Sequence, residues 1–258
     1  MKAAIGSASA CVAALTILPA LLSGCSSNYS WGWYVVSPAT AVGRRNIEFL
    51  LSGLGFTLGI SLTAISISVV LGLAVALPGL SRNATARAFN RTYVEAIRSI
   101  PILVMLLWVY YGLPLVLNLS LGVFAAGVLA LALSDSAFEA EIFRAGIQSI
   151  DRGQHEASDS LGLTYLDKMR FVILPQALRR ILPPLGNQFV YMLKTSSLIS
   201  VIGLTELTRR ANELVVSEYR PLEIYTFLVL EYMCLILIVS KLVRLLERRM
   251  AAGERRAA

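Results

Sequence analysis

Residues 144–175 read RAGIQSIDRGQHEASDSLGLTYLDKMRFVILP, a polar stretch that separates two apolar parts of the chain. Before it, residues 99–134 contain no Asp, Glu, Lys or Arg, and after it residues 181–201 contain only Lys194. A connection of this length between apolar segments usually has a function of its own. The stretch therefore indicates a structured loop in water, held at both ends by membrane segments.

The composition around this loop is that of a membrane protein. The chain has 258 residues, of which 56% are hydrophobic and 15% charged, and a helix needs about 20 mostly apolar residues to cross a bilayer. Apolar runs that meet this length cover residues 3–43, 49–81, 99–134, 181–201 and 222–243. The run at 99–134 is long enough for two crossings, with a turn at residues 118–120. We expect an all-α integral membrane fold with five core transmembrane helices after residue 46.

The distribution of charge orients this fold. The net charge of +7 could suggest a nucleic-acid partner, but 16 of the 23 Lys and Arg residues lie in segments 82–98, 141–180 and 241–258. By the positive-inside rule, these three segments face the cytoplasm. The basic character therefore indicates a multi-pass protein surrounded by membrane lipid, and no nucleic-acid partner is predicted.

The N-terminal residues form a separate segment. Residues 1–25 have the features of a secretion signal, and residues 22–25 (LSGC) resemble a bacterial lipobox, in which Cys25 would be lipidated. An uncleaved signal-anchor helix and a misplaced start of the chain are the alternatives. The three cysteines of the chain lack the spacing of a zinc site or a disulfide framework. Residues 26–46 are expected to form an external linker.

Within the polar loop, the residue types suit a mechanical element. Gly153 and Gly162 allow turns, and residues 156–158 can begin a short helix with a face of small side chains. Pro175 suits the first turn of the next membrane helix. A short helix held at both ends would transmit force to the spans on either side.

The loop resembles the EAA loop of binding-protein-dependent ABC importer permeases, and we place it at about residues 144–180. The family pattern is matched by Glu156, Ala157, Gly162, Leu174 and Pro175. Ser158 stands where the family has a second Ala, and Val172 where it has Ile. The resemblance covers about residues 46–249, so we expect a permease domain at 47–249 of the type I importer fold and a cytoplasmic basic tail at 250–258.

Further similarities at residues 98–101, 141–146, 149–150, 153–154 and 194–198 are to the polar amino-acid branch of this family, and most closely to glutamate/aspartate permeases. The resemblance implies ATPase coupling through Gly153, Gln154, Glu156, Ala157, Gly162, Leu174 and Pro175. It also implies a location in the bacterial inner membrane, two ATPase subunits, an external solute-binding protein and a second permease subunit, identical or different.

No cofactor is expected in this chain. It lacks a Gly-x4-Gly-Lys-Ser/Thr phosphate loop, so ATP and Mg would be bound by the partner ATPase. Neither a catalytic site nor a metal site is predicted.

Two groups of polar residues inside the apolar spans are candidates for the substrate path. Asp135 could bind the ammonium group of a substrate or make a structural hydrogen bond to Ser134, Ser136 or a neighbouring helix. Lys194, with Ser196 and Ser197, lies near the outer interface, where Lys can extend its ammonium group into water without a further role. The alternatives are that Lys194 binds a substrate carboxylate and that the two hydroxyls serve packing between helices.

Two other predictions concern charged parts of the chain. Glu139 and Glu141 are expected near the inner interface, paired with Arg144 or another basic residue. Residues 203–221 have an amphipathic helical pattern and are expected at the outer surface.

Alternatives in other functional classes are a membrane enzyme and a secondary transporter. The enzyme is disfavoured by the single histidine of the chain, His155, and by the lack of a serine–base arrangement. A secondary transporter could use Asp135 to relay protons. Within the importer class, an opine or a sulfur amino acid is an alternative substrate.

Overall fold

The structure is a computed structural model that describes residues 29–254, with side chains described as far as residue 248. The described residues fall into two units, residues 29–33 and residues 34–254. The predicted signal or lipidation segment 1–25, with Cys25, and residues 255–258 of the predicted tail lie outside the described residues. The part of the chain that is described consists of helices and loops without a strand, so the predicted all-α fold is confirmed there.

The helices of the described part are numbered in chain order. They are α1 (Ala41–Leu51), α2 (Leu54–Gly79), α3 (Ala84–Arg98), α4 (Ile102–Leu107), α5 (Leu113–Leu117), α6 (Val123–Gln148), α7 (Arg152–Ser160), α8 (Leu174–Thr195), α9 (Leu207–Glu218) and α10 (Pro221–Glu254). Shorter elements are a helical turn at Tyr165–Asp167, π-helical stretches at Trp108–Gly112 and Lys168–Ile173, and 3-10 stretches at Trp33–Val36 and Ser196–Ile202.

These helices provide the predicted number of membrane crossings. Ala41–Gly79, Val123–Gln148 and Pro221–Arg248 are each long and apolar enough to span a membrane. Two further spans are bent pairs: α3 meets the helix at Ile102–Leu117 at 93°, and the helix at Tyr165–Ile202 meets α9 at 47°. With each pair counted as one span, the described residues contain five, in agreement with the five predicted core helices.

The turn predicted within the apolar run 99–134 is present. Helix α5 ends at Leu117, and Asn118 adopts a left-handed conformation with φ of 51° before α6 begins at Val123. Asn tolerates this conformation better than most residues because its short polar side chain can hydrogen-bond locally. The apolar run therefore forms two crossings.

Small residues bring α2 and α6 into close contact. The small or hydroxyl-bearing residues on the buried face of α2 are Thr57, Ser61, Ala64, Ser68, Gly72, Ala76 and Gly79. Helix α6, which packs against α2, also has several buried Ala, Gly and Ser residues. A Cβ atom added to Gly72 would lie 2.4 Å from the Cβ of Glu139, so only glycine fits at this crossing. Such small-residue contacts are a common basis of helix packing in membranes.

The segment predicted to be amphipathic forms α9. Glu206 caps the start of α9 by accepting hydrogen bonds from the backbone N–H groups of Thr208 and Arg209. The predicted apolar face is confirmed, because the residues that form it are all buried, namely Leu204, Leu207, Ala211 and Leu214. This face packs against α1 and α10, so α9 is an integral part of the bundle.

Candidate functional site

Helix α7 lies in the polar loop between α6 and α8, and both of its ends are fixed by local hydrogen bonds. At its start, Asp151 Oδ1 accepts a hydrogen bond of 2.7 Å from the backbone N–H of Gly153. At its end, the N–H of Gly162 bonds to the carbonyl of Asp159, and the N–H of Leu163 to that of Ser158. With Gly162 at φ of 69°, this is a Schellman motif.

Two predictions about this loop were wrong in detail. The helix begins at Arg152 rather than at Glu156, because Asp151 is a good N-cap residue. Gly153 lies in the first turn of α7 rather than in a reverse turn. A Cβ atom at Gly153 would lie 2.9 Å from Asp151 Oδ1, so the glycine makes room for the capping carboxylate. Gly162 does adopt the turn conformation that was predicted for it.

A second capped turn follows α7. Thr164 Oγ1 accepts a hydrogen bond from the backbone N–H of Asp167 and donates one of 2.6 Å to the Asp167 carboxylate, so Thr164 is the N-cap of this turn. Lys168 Nζ lies 2.6 Å from Asp159 Oδ1 and so joins this turn to α7. The π-helical stretch Lys168–Ile173 then runs directly into α8.

Two contacts attach the loop to the membrane helices. Gln176 Nε2 of α8 donates a hydrogen bond of 3.1 Å to Gln154 Oε1 of α7. Arg180 of α8 donates to the backbone carbonyl of Ser149 at the end of α6, and to its hydroxyl at 3.1 Å. The first contact joins α7 to α8, and the second joins α8 to the end of α6.

The outer surface of this loop carries apolar side chains that the described part of the chain leaves uncovered. Those of the loop and the turn into α8 are Leu161 (79% exposed), Tyr165 (70%), Leu166 (76%) and Phe171 (64%). Glu156, Ala157, Leu174 and Pro175 are exposed as well, whereas Ser158 is buried. Ser158 thus forms the inner face of α7, and an exposed apolar cluster of this kind is typical of a protein-binding surface.

A separate group of polar side chains, of which Asp135 and Ser68 are buried and Gln188 is half-buried, lies where α2, α6 and α8 meet. Asp135 of α6 is only 4% exposed and accepts a hydrogen bond of 2.9 Å from Ser68 Oγ of α2. Its other carboxylate oxygen accepts from Gln188 Nε2 of α8. We call Asp135, Ser68 and Gln188 the buried polar cluster. Of the hydrogen-bond partners predicted for Asp135, the structure shows those on neighbouring helices, α2 and α8.

The two glutamates of α6 differ in their surroundings. Glu141 pairs with Arg144 through two hydrogen bonds of 2.7 and 3.1 Å, as predicted. The pairing predicted for Glu139 is wrong: this side chain is fully buried against α2, one turn beyond Asp135. Two residues along a helix place a side chain on nearly the opposite face, so Glu139 cannot share the position of Glu141.

The other predicted polar group lies further along the same span. Lys194 is exposed, and the hydroxyls of Ser196 and Ser197 donate to the backbone carbonyls of Leu193 and Lys194, respectively. Six residues separate Lys194 from Gln188, which is about 9 Å along a helix. The structure does not bring this group together with the buried polar cluster.

Ser68 and Gln188 were missed by the sequence analysis. Gln188 and its neighbour Asn187 are amides within a mostly apolar span, and that signal was available. Ser68 is one of several serines in α2, and nothing in the sequence distinguishes it.

As to metals, among the described side chains no three His, Cys, Asp or Glu residues are grouped so as to hold an ion.

Comparisons with known proteins agree with this architecture. The glutamine transport system permease protein GlnP of Escherichia coli K12 is 38% identical over 222 residues, which cover 84% of this chain and 97% of that protein. The probable glutamine ABC transporter permease protein GlnM of Bacillus subtilis is 40% identical over 205 residues, covering 80% and 94%. A crystal structure of an amino acid ABC transporter with histidines matches with a TM-score of 0.75 and 43% identity, over 80% of this chain and 96% of that one.

The fold and these matches together define the class of the protein as a transport permease. The family described as "binding-protein-dependent transport system inner membrane component" matches residues 68–252. The chain belongs to this family. It is the multi-pass permease subunit of an ABC importer, in which a separate chain is the ATPase.

Proposed function

We propose that this permease moves a polar amino acid, with glutamine as the first candidate, across the bacterial inner membrane. The observation that carries the proposal is the 38–40% identity, over nearly their whole length, to permeases named for glutamine. A permease named for arginine, ArtQ of Bacillus subtilis, is 36% identical, which supports a polar amino acid more generally. These names favour glutamine over the glutamate or aspartate that the sequence analysis suggested.

The buried polar cluster suits the α-ammonium end of an amino-acid substrate. The carboxylate of Asp135 is held by donors from two other helices, so its orientation is fixed before a substrate arrives. A carboxylate in a region of low dielectric constant attracts an ammonium group strongly. We assign Asp135 to the α-ammonium group, and we assign a structural role to Lys194, Ser196 and Ser197.

Helix α7 and its exposed apolar neighbours suit the docking of the ATPase. The rigid caps and the contacts to α6 and α8 support a mechanical role for Gln154 and Gly162. Of the other residues predicted to couple, Glu156, Ala157, Leu174 and Pro175 are exposed and available to a partner, whereas Gly153 supports the cap. The full assembly would include two ATPase subunits, a second permease subunit and an external solute-binding protein.

Uptake of labelled glutamine into proteoliposomes tests the choice of substrate. The permease is reconstituted with its ATPase and its solute-binding protein, and unlabelled glutamine, arginine, glutamate, aspartate and methionine are added in turn as competitors. We expect glutamine to compete best. Stronger competition by glutamate or aspartate than by glutamine would restore the acidic substrate, and strongest competition by methionine would replace the proposal with a sulfur amino acid.

A further inference from the structure

A polar cleft of about 350 Å³ lies between α3 and the end of α6, apart from both sites described above. Its charged lining residues are Arg87, Arg91, Glu95 and Arg98 of α3, and Glu141 and Arg144 of α6. Four guanidinium groups thus face two carboxylates, so the cleft carries an excess of positive charge.

Ion pairing among these residues leaves the excess positive charge on α3. Arg144 and Glu141 neutralise each other, at 2.7 Å. Arg98 stacks over the ring of Phe138, with its guanidinium carbon 4.8 Å from the ring centre. This contact holds the side chain in place without neutralising its charge.

The other two arginines of α3 also lack a carboxylate partner among the described residues. Arg87 donates to the backbone carbonyls of Ser81 and Arg82, at 3.1 and 2.6 Å, so its guanidinium is positioned but keeps its charge. Arg91 makes no hydrogen bond or ion pair within the described part of the chain. Arg91 is therefore the cation most available to a ligand.

The location of the cleft indicates which ligands can reach it. Helix α3 is bent by 93° from the helix at Ile102–Leu117 that continues it, so the two halves of this bent span run in nearly perpendicular directions. The positive-inside rule places α3 and the end of α6 on the cytoplasmic side. Basic pockets between membrane helices at this level bind the head groups of anionic lipids.

We propose that this cleft binds a phosphate group at the cytoplasmic surface of the membrane. Guanidinium groups form two parallel hydrogen bonds to phosphate oxygens, and Arg91 is the direct ligand. Gln148 at the wall of the cleft accepts from Arg144 at 2.9 Å, which leaves its amide nitrogen as a further donor. The phosphate can come from an anionic phospholipid or from inorganic phosphate, because both present the same oxyanion.

Ligand binding to the delipidated importer, assembled with its ATPase in detergent, tests this inference. Native mass spectrometry counts bound phosphatidylglycerol, with phosphatidylcholine as the zwitterionic comparison, and equilibrium dialysis with radiolabelled phosphate tests the free anion. The variant is Arg91→Gln. The matched control is Arg82→Gln, which removes the same charge from an exposed residue nearby that does not line the cleft.

We expect Arg91→Gln to weaken binding of phosphatidylglycerol by at least about tenfold, the effect of losing the charge-assisted hydrogen bonds of its guanidinium group, while Arg82→Gln binds as the wild type does. A loss confined to inorganic phosphate would support the site with the free anion as its ligand. Equal binding by all three proteins, or equal losses in both variants, would overturn the proposal, since either result would show that the cleft provides no specific phosphate site.

Discussion

Gln154 of α7 and Gln176 of α8 are joined side chain to side chain, with 3.1 Å between Nε2 of Gln176 and Oε1 of Gln154. The same nitrogen of Gln176 also donates to the backbone carbonyl of Val172 at 2.9 Å. The hydrogen bond therefore links the helix in the polar loop to the first turn of the next membrane helix. It is one of the contacts through which a movement of α7 would reach the bundle.

Replacing either glutamine by alanine should reduce the amount of substrate transported per ATP hydrolysed. One hydrogen bond contributes about 0.5–1.5 kcal/mol, so we expect a loss of about two- to tenfold. Because both side chains serve the same contact, the double variant should lose no more than either single variant. Ser160→Ala is the control, since Ser160 lies on α7 and bonds only to its own helix. Additive losses would contradict this role.

Replacing Gly162 by valine should disturb the end of α7. Nothing lies within 4 Å of an added Cβ atom, so the cost comes from the φ of 69° alone, and the left-handed conformation costs an ordinary residue about 1–2 kcal/mol. We expect weaker co-purification of the ATPase with normal membrane insertion. Gly162→Asn should retain more ATPase than Gly162→Val, because Asn tolerates this conformation. Equal retention in both variants would show that the conformation is unimportant.

The end of α7 and the start of α8 could be predicted, because each depends on the local preference of a single residue. Gly162 and Pro175 have strong local preferences, and both adopt the predicted roles. The start of α7 was placed too late because the predicted small-residue face, rather than the capping ability of Asp151, was used to locate it. The joining of Gln154 to Gln176 depends on how α7 folds back on α8, and local sequence carries no information about that.

Replacing Asp135 by asparagine should impair uptake and leave the importer assembled. Asparagine has nearly the same shape and can still accept the hydrogen bond from Gln188, but it lacks the charge that would attract an ammonium group. We expect uptake to fall by about tenfold, which corresponds to about 1.4 kcal/mol. Ser68→Ala removes one hydrogen bond from Asp135 and keeps its charge, so it should affect uptake less. Normal transport kinetics in Asp135→Asn would refute the assignment.

Replacing Gly72 by alanine should destabilise the contact between α2 and α6. The added Cβ atom would lie 2.4 Å from the Cβ of Glu139, and overpacking of this kind costs about 1–3 kcal/mol. We expect a lower thermal unfolding temperature of the detergent-solubilised protein. Gly59→Ala on the same helix meets nothing within 4 Å and should leave the unfolding temperature unchanged. An equal effect of the two changes would argue against a close crossing at Gly72.

The number of spans could be predicted from the sequence, whereas the buried polar cluster could be predicted only in part. Apolar length alone gives the spans, because the bilayer fixes the length of a crossing helix. Asp135 was identified because a carboxylate is costly in an apolar span. Its partner Ser68 lies 67 residues away along the chain, and only the packing of α2 on α6 shows that the two side chains meet.

We expect this permease to move its substrate only when a separate ATPase drives it. Uptake of labelled glutamine into proteoliposomes, with an ion gradient present throughout, tests this most directly when the ATPase and the solute-binding protein are supplied together or left out in turn. We predict uptake only with both partners and ATP present. Uptake by this chain alone, driven by the ion gradient, would contradict the account and indicate a secondary transporter.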